Sequence, residues 1–399
     1  MAKKCDVLII GGGVVGLSTG IALLEANPSR KVVIAEKESR LGLHASGRNS
    51  GVLHSGFYYS PDSLKAKFCR DGNQELRKLA KKYNIPIREV GKVVVARNSD
   101  ENERLESLFC RGITNGVDLE ILDAANLNKY EPLAITYERF LWSPKTAISD
   151  PLSIIEALRK EFESLGGSVT FEAKVRLKEV NDEIVDSTHQ FEANKVINTA
   201  GVQADRISRV VGVGNEYAML PFMGVYRATE EKNLPLQRLV YPVPHSINPF
   251  LGVHFTLTLD NKVKIGPTAI PIAGREQYSF LSGWSGSDLS QSFKGMISLM
   301  RSGAHDFGRI IQSEWPKIVE SLLVKESLEL VPTASNVKSW KRKPPGIRAQ
   351  LVHLPSGKLE QDFVVRKKLN SIHVLNAVSP GWTSAIPFGR FISSSLDMK

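Results

Sequence analysis

Cysteine is scarce in this chain. Its 399 residues hold three, Cys5, Cys69 and Cys110, far apart and without a CxxC pair. An odd number of dispersed thiols excludes a disulfide framework, offers no zinc-ligand spacing, and suits a reducing compartment. Long apolar runs are missing as well. The one candidate for a signal peptide or a spanning helix, Val7 to Leu24, is broken by Gly11-Gly12-Gly13, Ser18 and Thr19. It reads better as strand, glycine turn and helix. Fixed-period repeats and low-complexity tracts are also absent, which excludes solenoids and disordered linkers.

Acidic residues are outnumbered, 42 against 52 basic ones, for a net charge of +10. Such a surface favours anionic substrates or anionic lipid headgroups. The basic residues are scattered, without the stripe or aromatic interleaving that nucleic-acid binding uses, so nucleic acid is not an expected partner. One local knot, Lys338, Lys341, Arg342 and Lys343, is interrupted by Trp340 and stopped by Pro344, and reads as a solvated turn. With 42% hydrophobic and 24% charged residues, the composition is that of a globular enzyme of about two domains.

The N-terminus carries the first positive signal. Asp6 to Ile10 reads as a buried parallel strand, apolar throughout after Asp6. Gly11-Gly12-Gly13-Val14-Val15-Gly16 then satisfies G-x-G-x-x-G, and Val14, Leu17, Ile21 and Leu24 follow at helical spacing. A second strand, Lys31 to Ala35, ends at Glu36, twenty residues after Gly16. Gly11 permits the tight turn, Gly13 a close approach of pyrophosphate, and Gly16 close helix packing. The unpaired N–H groups of the helix start suit phosphates, and Glu36 suits ribose hydroxyls. An acid at position 36 argues against NADP. The alternative, a purely structural glycine turn, does not account for the acid at this distance.

The next stretch, Gly42 to Tyr59, is small, polar and glycine-rich, able to wrap an extended ligand rather than continue a regular α/β alternation. Its run HASGRNSGVLHSGFYY resembles the second flavin-contacting segment of the L-2-hydroxyglutarate dehydrogenases (or oxidases), FAD enzymes of the D-amino-acid-oxidase superfamily. The resemblance continues in order through NTAGVQADRIS (198–208), YPVP (241–244), PFLGVHFT (249–256), IGPTA (265–269), PGIRAQLV (345–352) and NAVSPGWTSAIPFG (376–389). It implies an α/β fold: a Rossmann-like FAD-binding domain assembled from residues 1–84, 150–211 and 345–399, with an inserted α+β substrate domain, residues 85–149 and 212–344, on an antiparallel sheet.

Local signals agree with that layout. Asp150-Pro151 is a good helix start, followed by an apolar face of Leu152, Ile155, Leu158, Phe162 and Leu165 and stopped by Gly166-Gly167. Strands are predicted at Ser168 to Ala173, Lys195 to Asn198 and Ile372 to Leu375 in the nucleotide sheet, and alternation at Gly91 to Ala96 and Lys262 to Ile265 predicts antiparallel strands.

By resemblance, the cofactor contacts are Gly11, Gly13, Val14, Val15, Gly16, Glu36 and Lys37 at the N-terminus. The second segment adds His44, Ser46, Arg48, Asn49, Ser50 and Gly51. Val175 lies beside the adenine, with Ala200 and Gly201 nearby, and Pro380, Gly381, Trp382, Thr383 and Ser384 form a loop against the flavin. Covalent attachment at His44 is not expected, and no metal is.

Oxidising a 2-hydroxy acid removes a hydride from carbon and a proton from the hydroxyl. Flavin takes the hydride; the protein must bind carboxylate and supply a base. A neutral histidine suits that role. Of eight histidines, His54 is the first candidate and His254 the second, each with a structural core histidine as the bland alternative. Arg348, in GIRAQ, is the candidate carboxylate clamp, because guanidinium offers two parallel hydrogen bonds; a surface salt bridge is its alternative. Tyr58, Tyr59, Tyr226 and Arg275 are unranked candidates for a second carboxylate.

The chain departs from the family pattern at Met223 and Val225, where arginine and glutamate are expected, at Gly381-Trp382, and at Arg48. If position 223 lines the pocket, substrate preference differs. The expected reaction is FAD-dependent oxidation of L-2-hydroxyglutarate to 2-oxoglutarate; the alternatives are a related amino-acid or amine oxidase, or an oxidase of another 2-hydroxy acid. Oxygen or a quinone is the expected electron acceptor. The expected location is the cytoplasm, with peripheral contact at the inner face of the membrane as a further expectation from the basic surface.

Overall fold

The computed structural model describes residues 2–245, 250–279, 283, 285–303 and 307–397; Pro249, at the head of the PFLGVHFT stretch, lies outside them. The strand Lys3–Ile10 is the centre of a six-stranded sheet. It pairs in parallel with Val32–Ala35 on one side and Phe191–Asn198 on the other. Ser168–Thr170 and Ser371–Asn376 extend the parallel sheet outward, and Val364–Lys368 closes it antiparallel. Buried β-branched residues such as Val7, Ile9, Val32 and Ile34 suit a sheet covered on both faces. The helix Val14–Ala26 packs on that sheet beside Pro151–Ser164 and Ala385–Asp397.

The predicted helix at Asp150 is present: the Ser153 N–H donates to Asp150 Oδ2 at 2.7 Å, and Pro151 opens the first turn. Ile155, Leu158 and Phe162 are buried, but Leu152 is half exposed, so it does not belong to the apolar face. It sits in the first turn, outside the stripe that Ile154, Ile155 and Leu158 press on the core. The strand expected at 168–173 ends at Thr170; Glu172 takes a positive φ of 54° and turns the chain toward Ala173 and Val175, both buried.

Two further sheets lie on the other side of the cavity described below. An eight-stranded sheet runs, in spatial order, through Arg227–Glu230, Lys262–Gly266, His254–Leu257, Leu239–Pro242, Lys92–Val95 and Arg139–Ser143, flanked by Lys341–Arg342 and Glu120–Asp123. It is antiparallel except where Lys92–Val95 meets Leu239–Pro242 in parallel. The smaller sheet joins Tyr217–Gly224 to Gly346–His353, across the boundary expected between the substrate domain and the third cofactor segment.

Candidate functional site

A cavity of about 860 Å³ runs from the start of the first helix to the face of the eight-stranded sheet. Of the residues expected to contact cofactor, all but Gly16, Gly51 and Ser384 line it. Gly16 serves packing instead: a Cβ there would lie 2.1 Å from the Gly11 carbonyl oxygen. Gly51 has φ +76° and would drive a Cβ to 2.4 Å from the Ser149 carbonyl oxygen. The Ser384 hydroxyl is buried, just ahead of the last helix.

The cradle at the helix start fits an anionic nucleotide. No acidic side chain stands in the first turn. The Val14 N–H donates to Ser46 Oγ at 3.1 Å, and a Cβ on Gly13 would meet that same oxygen at 2.9 Å. Glu36 is buried and accepts from the Gly12 N–H at 2.9 Å and from the Glu38 N–H at 3.0 Å. Its carboxylate is thereby aimed beside the turn, with lone pairs left for ribose hydroxyls.

Lys37 and His44 belong to a polar cluster along this channel. His44 Nδ1 lies 2.8 Å from the Tyr278 hydroxyl and Nε2 lies 2.8 Å from Glu38 Oε1. The Lys37 ammonium contacts Glu38, His44 at 3.0 Å and Glu276 at 3.1 Å. Burial works against the Lys37 charge, yet the two carboxylates hold its pKa above the ordinary value. Glu38, His44 and Glu276 are the one group among the described residues with metal-type ligand atoms close together, and the Lys37 ammonium already supplies the cation there. Arg48 donates from Nε to the Leu43 carbonyl at 2.6 Å and stacks its guanidinium 4.1 Å from the Tyr278 ring centre.

At the far end, the cavity brings together His54, His254, Arg348 and Tyr226 with Tyr241 and Trp382. His54 is fixed through its backbone: its N–H donates to Thr383 Oγ1 at 3.3 Å, and Asn73 Nδ2 donates to its carbonyl at 3.0 Å. Its Nδ1 is buried without a partner among the described residues. Burial, then the Lys92 and His254 charges, pushes the His54 pKa well below the ordinary value. His254 stacks on Tyr241 with ring centres 3.8 Å apart, and its Nδ1 lies 2.9 Å from the Gly252 carbonyl oxygen. A carbonyl only accepts, so Nδ1 carries the proton and Nε2 carries the lone pair. Burial brings the His254 pKa down to about 3, so the ring is neutral at working pH. Arg348 donates from Nε to Gln350 Oε1 at 3.1 Å; burial lowers its pKa only to about 10, and it stays charged.

The remaining candidates for a second carboxylate part company. Tyr226 lines the cavity; Tyr58, Tyr59 and Arg275 do not. Arg275 is fully buried among Asp205, Asp288 and the Val202 carbonyl, a structural knot that leaves it no free face. Tyr58 and Tyr59 turn into the interior, where burial raises both hydroxyl pKa values. Met223 and Val225 also point away. Along their strand Phe222, Gly224 and then Tyr226 line the cavity, while Met223 and Val225 pack on Ile270, Ile272 and Ile347. Their departure from the family pattern therefore falls outside the cavity wall, and the expected effect on substrate preference loses its basis.

Lys92 was not foreseen. It is wholly buried at the foot of the site, its ammonium 4.1 Å from the Tyr241 ring centre, 5.0 Å from Tyr58 and 5.4 Å from Phe57, with no hydrogen-bond partner among the described residues. Burial lowers its pKa to about 7. The available signal was a lone charge in an otherwise apolar strand, Gly91 to Ala96.

A parallel sheet with a glycine turn and a paired acid, opening on a cavity that ends in two neutral histidines and a charged arginine, defines a flavoprotein oxidoreductase. The family model described as FAD dependent oxidoreductase matches residues 6–394. Among solved structures, L-alpha-glycerophosphate oxidase from Mycoplasma pneumoniae with FAD bound is similar at a TM-score of 0.77 and 23% identity, over 100% of this chain and 96% of that one. Glycine oxidase from Geobacillus kaustophilus follows at 0.71 and 18%, over 99% and 95%. Among curated proteins, L-2-hydroxyglutarate dehydrogenase from Escherichia coli is 35% identical over 98% of this chain and 93% of its own length. The mitochondrial L-2-hydroxyglutarate dehydrogenases of Caenorhabditis briggsae (36%, 98% and 93%) and Homo sapiens (32%, 99% and 89%) are similar too. The chain belongs to the FAD-dependent oxidoreductase family that contains these L-2-hydroxyglutarate dehydrogenases.

Proposed function

We propose that this protein oxidises L-2-hydroxyglutarate to 2-oxoglutarate with FAD held in the cavity. The observation that carries the chemical reading is the tautomer of His254: its Nδ1–H is tied to the Gly252 carbonyl, which leaves Nε2 as a base in the cavity that Arg348 also lines. Bound FAD supplies the hydride acceptor. Arg348 binds the carboxylate next to the reacting carbon, His254 takes the hydroxyl proton at Nε2, and His54 stands by as a hydrogen-bond partner of the substrate. The order differs from the sequence ranking, which put His54 first, because no described residue bonds His54 Nδ1 to fix its tautomer. Tyr226 is the remaining candidate for the distal carboxylate.

The domain division stays part of the proposal: residues 1–84, 150–211 and 345–399 hold the cofactor, and 85–149 and 212–344 shape the substrate end. The electron acceptor is oxygen or a quinone. A peripheral membrane contact is supported by the helix Gly286–Ser302, which exposes Leu289, Phe293 and Met300, and by the net charge of +10. No described helix is long and apolar enough to cross a membrane. Anaerobic addition of each enantiomer of 2-hydroxyglutarate tests the function: the L form bleaches the flavin and the D form does not. Failure of the L form to bleach it refutes the substrate assignment.

A further inference from the structure

Among the described residues, the Arg348 guanidinium has no carboxylate partner. Its one hydrogen bond among the described residues runs from Nε to Gln350 Oε1, and its charge rests 5.1 Å from the Phe250 ring centre. Arg348 and Gln350 are two residues apart on the strand Gly346–His353, so they share a face. Gln350 is itself locked. It is 1% exposed, and its Nε2 donates to the Glu360 carbonyl at 2.7 Å and the Leu351 carbonyl at 3.3 Å. Carbonyls only accept, so the amide nitrogen must face them and the amide oxygen must face Arg348. The Glu360 carbonyl also receives Asn376 Nδ2 at 3.4 Å, at the end of the strand that leads into the Ser379 to Thr383 loop.

We infer that Gln350 is a positioning residue that sets how Arg348 receives the substrate carboxylate. A guanidinium can take a carboxylate side-on, through Nε and one terminal nitrogen, or end-on, through both terminal nitrogens. Gln350 consumes Nε and leaves the end-on fork to the cavity. It does so as a neutral acceptor, so it orients the cation without neutralising it. A glutamate of the same shape would bond Nε equally well but bring a negative charge that competes with the substrate. This inference rests on the reading of Arg348 as the carboxylate clamp.

The test compares Gln350→Glu, Gln350→Met and Arg348→Ala as FAD-loaded proteins. The readouts are KM and kcat for L-2-hydroxyglutarate and the dissociation constant of 2-oxoglutarate from the flavin spectrum. Gln350→Glu is expected to raise KM and the product dissociation constant at least tenfold, with kcat changed less than threefold. Gln350→Met, which removes the acceptor but adds no charge, is expected to raise both by about threefold to tenfold. Arg348→Ala combined with Gln350→Met should be no worse in KM than Arg348→Ala alone. A merely structural Gln350 would instead lower thermal stability and flavin content in both variants while leaving KM of the folded fraction unchanged, and that result overturns the inference. If Arg348→Ala raises KM but neither Gln350 variant does, only the inference falls. If Arg348→Ala itself leaves KM unchanged, the clamp reading falls with it.

Discussion

Replacing Lys92 by methionine should stabilise the protein, and by an amount that depends on pH. The ammonium lies buried with three aromatic rings around it and no hydrogen-bond partner among the described residues. Its pKa falls from the ordinary 10.5 to about 7, with burial as the cause. At about 1.4 kcal/mol for each tenfold, holding the charge in the folded state costs about 5 kcal/mol. Lys92→Met is therefore expected to be more stable by about 5 kcal/mol at pH 6.5.

The sign with pH follows from proton binding. Between about 7 and 10.5 the unfolded chain holds a proton on Lys92 that the folded chain lacks, so the stability of the wild-type protein rises with pH across that window. Below about 7 both states are protonated and the penalty is fully present. The advantage of Lys92→Met should shrink by about 3 kcal/mol between pH 6.5 and 9.5. Urea unfolding of both proteins, with saturating FAD at each pH, measures it. A variant less stable than wild type at pH 6.5, or a gap that does not change with pH, would refute the account of Lys92 as an unpaired buried cation.

Other perturbations separate the roles at the site. His254→Asn should lower kcat by about a hundredfold or more, while His54→Asn should cost less, because only His254 has a fixed basic nitrogen; equal losses in steady-state turnover would contradict that order. Arg348→Ala should mainly raise KM, costing about 2 to 4 kcal/mol in kcat/KM, as expected for a lost charge-assisted pair; an unchanged KM would remove the clamp. Arg275→Met should destabilise by about 3 kcal/mol or more, since it leaves Asp205 and Asp288 buried beside one cation fewer, with KM of the folded fraction unaltered. Denaturant titration with kinetics on the same sample checks both halves. Gly16→Ala should weaken FAD retention, because its Cβ would collide with the Gly11 carbonyl and shift the helix start; flavin content after gel filtration reports it.

Much of the cofactor end is local in character, and so could be read from the chain. A glycine turn between an apolar strand and a helix, with an acid twenty residues on, is a pattern of neighbours, and the strand register places Gly11 beside Ala35 as that pattern requires. The Asp150 cap is equally local. The substrate end is different. Arg275 and Arg348 are alike as sequence symbols, but one is enclosed by Asp205 and Asp288 and the other opens on the cavity. Met223 and Phe222 are adjacent, yet strand alternation sends only Phe222 to the cavity.

By itself, then, the sequence determined the nucleotide unit, the family pattern and the short list of histidines and arginines. Tertiary structure decided which of them meet. It tied His254 Nδ1 to Gly252, left the Arg348 fork open beside Gln350, and buried Lys92 against Tyr241. The physical reason is distance along the chain. Partners such as Tyr241 and Lys92 are separated by more than a hundred residues and share a face only because their strands pair in parallel. Tautomer, charge state and free hydrogen-bonding capacity are set by such neighbours, not by residue type.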